Sequence, residues 1–172
     1  MVSTTRPGFA LWTLLMLPLA FYLGGQGRTN ATETLGCGMM RYYIATRARL
    51  QGPELVYIFG ATNLPPGSVL VVYLYDCNGR EGSEPLNDEV RTVVKGDGLF
   101  EVEVHPKRIL QERDSLACEV VFAPNDPAQP KNVVRVVGRT GRCLGNEANN
   151  PQVRNNSTGT GGMLIDVTVV GG

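Results

Sequence analysis

Few residues of this chain have the side-chain types and spacing that catalysis requires. The only histidine, His105, precedes Pro106 at the end of a predicted strand. A general base needs a partner within hydrogen-bond reach, and we interpret His105 as a surface residue. A serine nucleophile in an α/β-hydrolase needs a G-x-S-x-G turn, which the sequence lacks. We therefore predict that the protein is not an enzyme, and we assign no catalytic, cofactor-binding or metal-binding residue.

The segment DCNGREGSEPLNDE, residues 76–89, is rich in carboxylates. Asp76 and Asn78 have the spacing that begins a calcium-binding loop, in which hard oxygen ligands surround the cation. Arg80 stands where the next ligand is needed, and the later acids do not have the required spacing. These acids are Glu81, Glu84, Asp88 and Glu89. We interpret the segment as a solvated connecting loop and predict no cofactor.

The stretch VVRVVGRTGRCLG, residues 133–145, contains a G-x-x-G sequence that resembles the nucleic-acid-binding loop of KH domains. That loop needs a helix on each side to hold the phosphates of four nucleotides. Here Gly145 and Pro151, with several asparagines between them, exclude a second helix. The whole chain also carries no net charge, whereas nucleic-acid-binding domains are usually basic. We therefore predict no nucleic-acid partner.

Four cysteines, Cys37, Cys77, Cys118 and Cys143, follow the N-terminal segment. An even number in an exported chain indicates disulfides. Structural zinc sites usually contain closely spaced cysteine pairs, and no C-x-x-C pair is present. We expect two disulfides, for which three connectivities are possible.

The N-terminal segment is typical of a secretory signal. Arg6 precedes the apolar stretch Phe9–Leu23, and small residues follow it. A membrane-spanning helix needs about 20 apolar residues, and this stretch is shorter and contains Pro18. We predict cleavage of residues 1–31, with an uncleaved anchor as the alternative, which would give the only membrane contact. Cleavage removes two arginines and no acid, so the mature domain, residues 32–172, has two more acids than bases.

The remaining sequence predicts short strands separated by turns. Apolar runs predict strands at residues 54–62, 68–76, 90–94, 99–105, 115–123 and 163–170. Gly96-Asp97-Gly98 predicts a tight hairpin between the third and fourth of them. Residues 37–50 suit a strand or a short helix, and a helical segment is expected near 130–137. Residues 145–162 are polar and rich in Gly and Asn, so we expect a flexible loop without packing partners.

The alternating pattern also predicts which side chains face the core. Phe100, Val102 and Val104 fall on one face of their strand, with Glu101 and Glu103 on the other. In the next strand Leu116, Cys118, Val120 and Phe122 lie together, opposite Glu119. In the last strand the apolar residues Met163, Ile165, Val167 and Val169 form one face, with Asp166 and Thr168 opposite.

Tyrosines occur as two close pairs, Tyr42 with Tyr43 and Tyr73 with Tyr75. On an exposed sheet face, tyrosines stack on sugars or anchor a protein partner. Within a strand they more commonly pack against neighbouring side chains. We therefore expect that a ligand of these residues would be a protein or a glycan, whose identity the sequence does not indicate.

Three segments of the chain resemble an exported bacterial domain of unassigned function. Its pattern is G-x-TNLP-x-G-x-x-L, then x-V-x-x-G-x-F, then QP-x-x-V-x-x-x-x-G-x-x-G-x-x-L-x-G. The matching residues are Gly60, Thr62, Asn63, Leu64, Pro65, Gly67 and Leu70, then Val94, Gly98 and Phe100, then Gln129, Pro130, Val133, Gly138, Gly141, Leu144 and Gly145. The resemblance covers about residues 54–146, and Cys77, Cys118 and Cys143 are additions to the pattern.

The resemblance implies an all-β, antiparallel immunoglobulin-like sandwich of six to seven strands with one short helical segment. In such a sheet the strand ending at Cys77 and the strand containing Cys118 would be neighbours. That arrangement implies a Cys77–Cys118 disulfide, which leaves Cys37 to pair with Cys143. The resemblance implies no particular activity.

These features together predict an exported, non-catalytic binding or structural module in the periplasm or outside the cell. Two other interpretations stay open. The protein could be a secreted enzyme or its accessory carbohydrate-binding domain, or a membrane-tethered structural protein that keeps its N-terminal anchor.

Overall fold

A computed structural model of the chain describes Cys37 and residues 41–77, 84–111, 113–145, 148–155 and 162–171. All of these residues belong to the unit Thr32–Gly172. The predicted signal segment, residues 1–31, lies outside the described residues. Within the described part, no helix is long and apolar enough to cross a membrane.

The apolar runs of the described chain form eight strands in two antiparallel sheets. One sheet has the order β1 (Ile44–Leu50), β2 (Val56–Thr62), β5 (Leu99–Val104). The other has the order β4 (Val90–Val93), β3 (Val69–Asp76), β6 (Ser115–Phe122), β8 (Gly162–Gly171), β7 (Val153–Asn155). The predicted antiparallel sandwich is therefore confirmed. Strand β1 falls in a segment for which the sequence left a strand or a short helix open, and β7 falls in a segment predicted to be a loop.

A short helix, α1 (Lys131–Val137), follows β6 and confirms the helical segment expected near 130–137. Pro130 at its N-terminal boundary has a φ of −61°, which its ring imposes. Val133 and Val137 lie one turn apart and are buried against the sandwich. Gly138 ends the helix with a φ of 78°, a conformation that glycine adopts at little cost. A 3-10 turn, Arg142–Leu144, comes next.

The core lies between the two sheets, and the predicted inward faces of β5 and β6 are correct. Phe100 and Val104 of β5 are buried, and all four apolar residues of the predicted β6 face are fully buried. Val72 and Leu74 of β3 and Ile58 of β2 complete the centre of this cluster. Burial of this kind is the main favourable contribution to folding.

The predicted inward face of β8 is wrong. Leu164 and Val170 face the core, whereas Val167 and Val169 are 55% and 65% exposed. The reason lies in Asp166, whose carboxylate accepts hydrogen bonds from the Thr46 backbone N–H at 2.7 Å and from the Gln152 side chain at 2.8 Å. These bonds connect β8 to β1 across the edge of the sandwich. The polar side of β8 therefore faces inward.

The expected hairpin at Gly96–Gly98 is also wrong. The turn is tight, but β4 pairs with β3 in the five-stranded sheet and β5 pairs with β2 in the other sheet. The turn therefore carries the chain from one layer to the next. Gly98 has a φ of 79°, and a Cβ there would lie 2.6 Å from the Thr62 carbonyl oxygen. Both facts require glycine at this position.

Residues 145–162 are more structured than the sequence indicated. Val153–Asn155 forms β7, which pairs with β8, and both Asn150 and Val153 are buried. The expectation of a segment without packing partners is therefore wrong for these residues. Residues 146–147 and 156–161 of the same segment lie outside the described chain.

Side-chain amides complete the backbone hydrogen bonding at the ends and edges of the strands. Gln129 accepts from Val69 N–H at 3.0 Å and donates to Val69 C=O at 2.8 Å. Asn87 likewise accepts from one backbone N–H of β3 and donates to one of its carbonyls. Asn63 and Gln152 make the same two kinds of hydrogen bond with the backbone of residues 41–44. An unpaired buried peptide group is costly. These amides therefore act where a neighbouring strand would otherwise be needed.

We predict that Gln129→Ala lowers the free energy of unfolding by about 2–4 kcal/mol, because it leaves buried peptide groups of Val69 and Ala123 without partners. Urea denaturation measures this loss. Gln111→Ala is the matched control, because Gln111 is exposed. Equal losses in the two variants would contradict the role assigned to Gln129.

Candidate functional site

The residues that carry the resemblance have structural roles in this fold. Leu70, Val94, Phe100 and Leu144 are buried in the core. At Gly60, a Cβ would lie 2.5 Å from the Phe100 ring, so the two positions constrain each other. The remaining glycines of the pattern have positive φ or approach other backbone closely. The pattern therefore describes how the chain folds, and a functional site must be sought among other residues.

The G-x-x-G loop lacks the surroundings of a KH loop. The helix before it, α1, is followed after Gly141 by a single 3-10 turn, and no helix follows that turn in the described chain. A Cβ at Gly141 would lie 2.3 Å from the Gly162 carbonyl oxygen, so the loop packs against the start of β8. This glycine serves packing between two chain segments.

The cysteines form one disulfide among the described residues, between Cys37 and Cys143, with Cα atoms 4.9 Å apart. Cys77 and Cys118 are free thiols. Strands β3 and β6 are antiparallel neighbours, as the implied pairing required, but Cys118 lies opposite Leu74 and points into the core. Cys77 follows the end of β3 and is exposed. The implied Cys77–Cys118 bridge is therefore not formed in this structure.

His105 and the acidic segment form no metal or acid–base cluster in the described chain. The Nδ1 atom of His105 lies 3.0 Å from the Glu54 carbonyl oxygen. Asp76 is paired with Arg108 at 3.0 Å, and Asp88 with Lys107 at 2.9 Å. Among the described residues, no three His, Cys, Asp or Glu side chains lie close enough together to hold a metal ion. Residues 78–83 of the segment lie outside that description.

The tyrosine pairs have different environments. Tyr42 is buried in the core, and Tyr43 beside it is 45% exposed. Tyr73 and Tyr75 lie on the outer face of the five-stranded sheet, with ring centroids 6.4 Å apart. Because alternate residues of a strand share a face, these two rings are the ones that a ligand on the sheet surface would meet.

Around these rings the sheet presents a surface that we call the tyrosine face, consisting of Tyr73, Tyr75, Glu119, Val167 and Val169. Register places Tyr73, Glu119 and Val167 side by side on β3, β6 and β8. Tyr75 and Val169 lie in the next row, on either side of Ala117. Exposed apolar side chains that adjoin one another mark interaction surfaces more reliably than isolated ones do.

Glu119 is the single acid in the two rows of the tyrosine face, and no described residue donates a hydrogen bond to it. Burial between its neighbours raises the pKa of the Glu119 carboxyl above its ordinary value. Burial also raises the pKa of Tyr73 and Tyr75. The nearby Glu89 carboxylate raises the pKa of Tyr73 further, and the Glu119 carboxylate that of Tyr75. A charge that is partly removed from water without a partner costs stability.

The outer face of the three-stranded sheet differs, because its carboxylate Glu101 has hydrogen-bond and ion-pair partners. Lys95 forms an ion pair with Glu101 at 2.5 Å, and the Tyr57 hydroxyl donates to the same carboxylate. The Arg49 guanidinium lies 4.9 Å from the centre of the Tyr57 ring. These partners lower the pKa of Glu101, with the Lys95 hydrogen bond as the largest cause. Glu101 therefore has partners on its sheet face, whereas no described residue donates a hydrogen bond to Glu119.

Sequence reasoning identified Tyr73 and Tyr75 but not Glu119, Val167 or Val169 as candidate binding residues. It placed the two valines in the core because apolar alternation does not show which face of a strand is inward. The signal that would have helped is Asp166, since an acid in the middle of a strand needs a hydrogen-bond donor. Its neighbour β1 supplies that donor.

No protein-family model, curated protein or solved structure matches this chain. The fold defines a mostly β protein, a sandwich of two antiparallel sheets. Any proposal about its function therefore has to come from its own surfaces.

We predict that native protein at pH 8 takes up one equivalent of iodoacetamide, at Cys77, because this thiol is exposed. Burial raises the pKa of Cys118 to about 12, so its thiolate is scarce and inaccessible. Denaturation without reductant should add a second label, at Cys118. Peptide mass spectrometry locates both labels. A denatured, unreduced chain that takes up none would instead indicate a Cys77–Cys118 disulfide.

We predict that Glu119→Gln raises the melting temperature at pH 7, because it removes a partly buried, unpaired charge. The raised folded-state pKa means that the folded state binds more protons than the unfolded one, so the stability of the wild type falls as pH rises through that pKa. The advantage of the variant should therefore grow from about pH 4 to pH 7. The control is Glu103→Gln, on the outer face of the other sheet, because it removes the same negative charge from an exposed position. An advantage independent of pH would contradict the role given to burial.

Proposed function

We propose that this protein is an exported, non-catalytic binding module that holds a protein partner on the tyrosine face. The observation that carries the proposal is the unpaired Glu119 carboxylate, partly buried in the middle of an exposed apolar surface. Replacing such a group by a neutral one commonly stabilises a protein, and residues kept at a cost to stability are typical of binding sites. A partner that supplies the missing charge would remove the cost.

Two features support export. The apolar stretch Phe9–Leu23 with its preceding Arg6 has the composition of a signal segment. The Cys37–Cys143 disulfide fits an oxidising compartment such as the periplasm or the cell exterior. If the segment 1–31 is retained, the same module would be anchored to the membrane, and the mass of the purified protein distinguishes the two forms.

The strand order supports the proposal that the sandwich is immunoglobulin-like. Constant-type immunoglobulin domains place their first, second, fifth and fourth strands in one sheet and their third, sixth and seventh in the other, to which variable-type domains add two strands. The orders β1-β2-β5 and β3-β6-β8 correspond to the sheets without the fourth strand, β4 lies beside β3 as an added variable-type strand does, and β7 extends the sheet beyond β8. Folds of this kind serve many functions, so the assignment of a binding role depends on the surface and not on the topology.

The chemistry of the tyrosine face indicates what the partner presents. Tyr73 and Tyr75 offer ring area, Val167 and Val169 offer apolar contact, and Glu119 offers one negative charge. The complementary surface has a lysine or arginine surrounded by apolar side chains, and arginine is enriched at such interfaces. A symmetric second copy would place the two Glu119 side chains close to each other, which disfavours self-association through this face.

A non-catalytic role is supported by the shape and content of the face. It is an open sheet surface, whereas most small-molecule and active sites are concave. Its one acid has no second acid, histidine or nucleophile beside it in the registered rows of β3, β6 and β8. The residues there suit contact and charge recognition.

The proposal predicts a preference for apolar peptides with a central arginine over matched peptides with a central norleucine or glutamate. Fluorescence polarisation against such a peptide set measures it. Glu119→Gln should remove the preference, and Val169→Asp should abolish binding to every peptide of the set. Glu103→Gln is the matched control and should bind as the wild type does. If Glu119→Gln keeps the arginine preference, the proposed recognition is wrong.

A glycan ligand is the second candidate, and the pair of half-buried tyrosines beside a carboxylate favours it. Sugar rings stack on aromatic side chains, and carboxylates accept hydrogen bonds from hydroxyl groups. In that case Tyr73→Ala would abolish binding on a glycan array, while Val169→Asp would have little effect. The two candidates thus differ in their dependence on Val169.

A further inference from the structure

A cleft of about 570 Å³ lies beside α1, on a part of the surface that the tyrosine face does not include. Its walls are the turn that follows β6, one side of α1 and the G-x-x-G loop. Its volume is within the range of about 300–1,000 Å³ that is usual for small-molecule sites. Lys131, Arg135 and Arg139 supply three positive charges to its lining, which also includes Arg142.

Asp126, the only acid among the described residues of the lining, does not neutralise these charges because it already has partners. Its carboxylate is paired with Arg91 at 3.1 Å and accepts a hydrogen bond from the Ala128 backbone N–H at 2.8 Å. Within the described chain, no carboxylate pairs with Lys131, Arg135 or Arg139. The cleft therefore carries an excess of positive charge, although the whole chain has none.

Two of these cations, Lys131 and Arg135, lie close to each other on α1. Lys131 and Arg135 are four residues apart on α1, so they share one face of the helix, and like charges at this spacing destabilise a helix. The other side of the helix holds the buried residues Val133 and Val137. Packing against the core involves the apolar residues Val133 and Val137, and residues of either charge would fit on the exposed side of α1. Core packing therefore does not explain why two cations occur there.

The G-x-x-G loop that forms one wall is held at several points. Gly141 packs on the backbone of Gly162, and the Gly162 N–H donates to the Thr140 carbonyl at 2.9 Å. Leu144 is buried in the core, and Cys143 is joined to Cys37. A wall fixed in this way lets nearby side chains bind a ligand without ordering the backbone first.

We propose that this cleft binds a small organic molecule with two or more negatively charged oxygen groups, either phosphates or carboxylates. Guanidinium groups match both kinds of group through paired N–H donors. The separation of Arg135 on the helix from Arg139 on the loop provides cations on two walls, which suits a ligand with more than one charged end. This site is independent of the protein partner proposed for the tyrosine face.

The test uses the oxidised, purified chain and two probes, pyrophosphate and citrate, in calorimetric titrations at about 0.15 M salt. We expect at least one probe to bind with a dissociation constant below about 1 mM. Arg135→Glu and Arg139→Glu should each weaken binding by about tenfold or more. Arg47→Glu on β1, an equal charge change at an exposed site, is the control and should bind as the wild type does.

Binding of pyrophosphate alone would identify a phosphate ligand, and binding of citrate alone a carboxylate ligand; both outcomes support the proposal. Binding of neither probe at about 10 mM would overturn it, since the affinity would then be below that of a specific site. Equal weakening by Arg135→Glu and Arg47→Glu would also overturn it, because the probe would then respond to overall charge. Melting temperatures of the variants establish that each remains folded.

Discussion

The requirement that every buried peptide group has a hydrogen-bond partner determines much of this structure. Strands that end or diverge at the sandwich edges leave N–H and C=O groups without a neighbouring strand. Here the side chains of Asn63, Asn87, Gln129 and Gln152 pair with those groups. An amide side chain has a donor and an acceptor, so it can replace one step of a strand ladder. This explains why Asn87 and Gln129, although polar, occupy buried positions next to the apolar core.

The same requirement accounts for the orientation of β8 and hence for the candidate site. The Thr46 N–H of β1 donates to the Asp166 carboxylate, which also accepts a hydrogen bond from the Gln152 side chain. With Asp166 facing inward, the alternation of side chains along the strand brings Val167 and Val169 to the outer surface. The exposed valines beside Tyr73 are thus a consequence of how the two sheets are joined. Their position next to a partly buried acid is the basis of the binding role proposed for this surface.

The sequence predicted the strands well, since most are continuous or alternating apolar runs bounded by glycine, proline or asparagine. The inward faces of β5 and β6 followed from the same pattern. Three features could not be derived in this way. The face of β8, the layer change at Gly98 and the separation of Cys77 from Cys118 all depend on contacts between distant segments. Local pattern carries no information about which sheet a strand joins or which neighbour satisfies its polar groups.

Both proposed sites are defined by where individual charges lie in the fold, and not by the net charge of the chain. Acids and bases are equal in number over the whole chain, so neither an excess of acid nor an excess of base explains the unpaired Glu119 or the cations of the cleft. Elsewhere charged groups do find partners, as Arg108 does with Asp76 and Asp114. Surface pairs of that kind are easily formed and contribute little to stability. Glu119 is partly buried and accepts no hydrogen bond from a described residue, and no described carboxylate pairs with the exposed Arg135. These two observations are the basis of the two binding proposals.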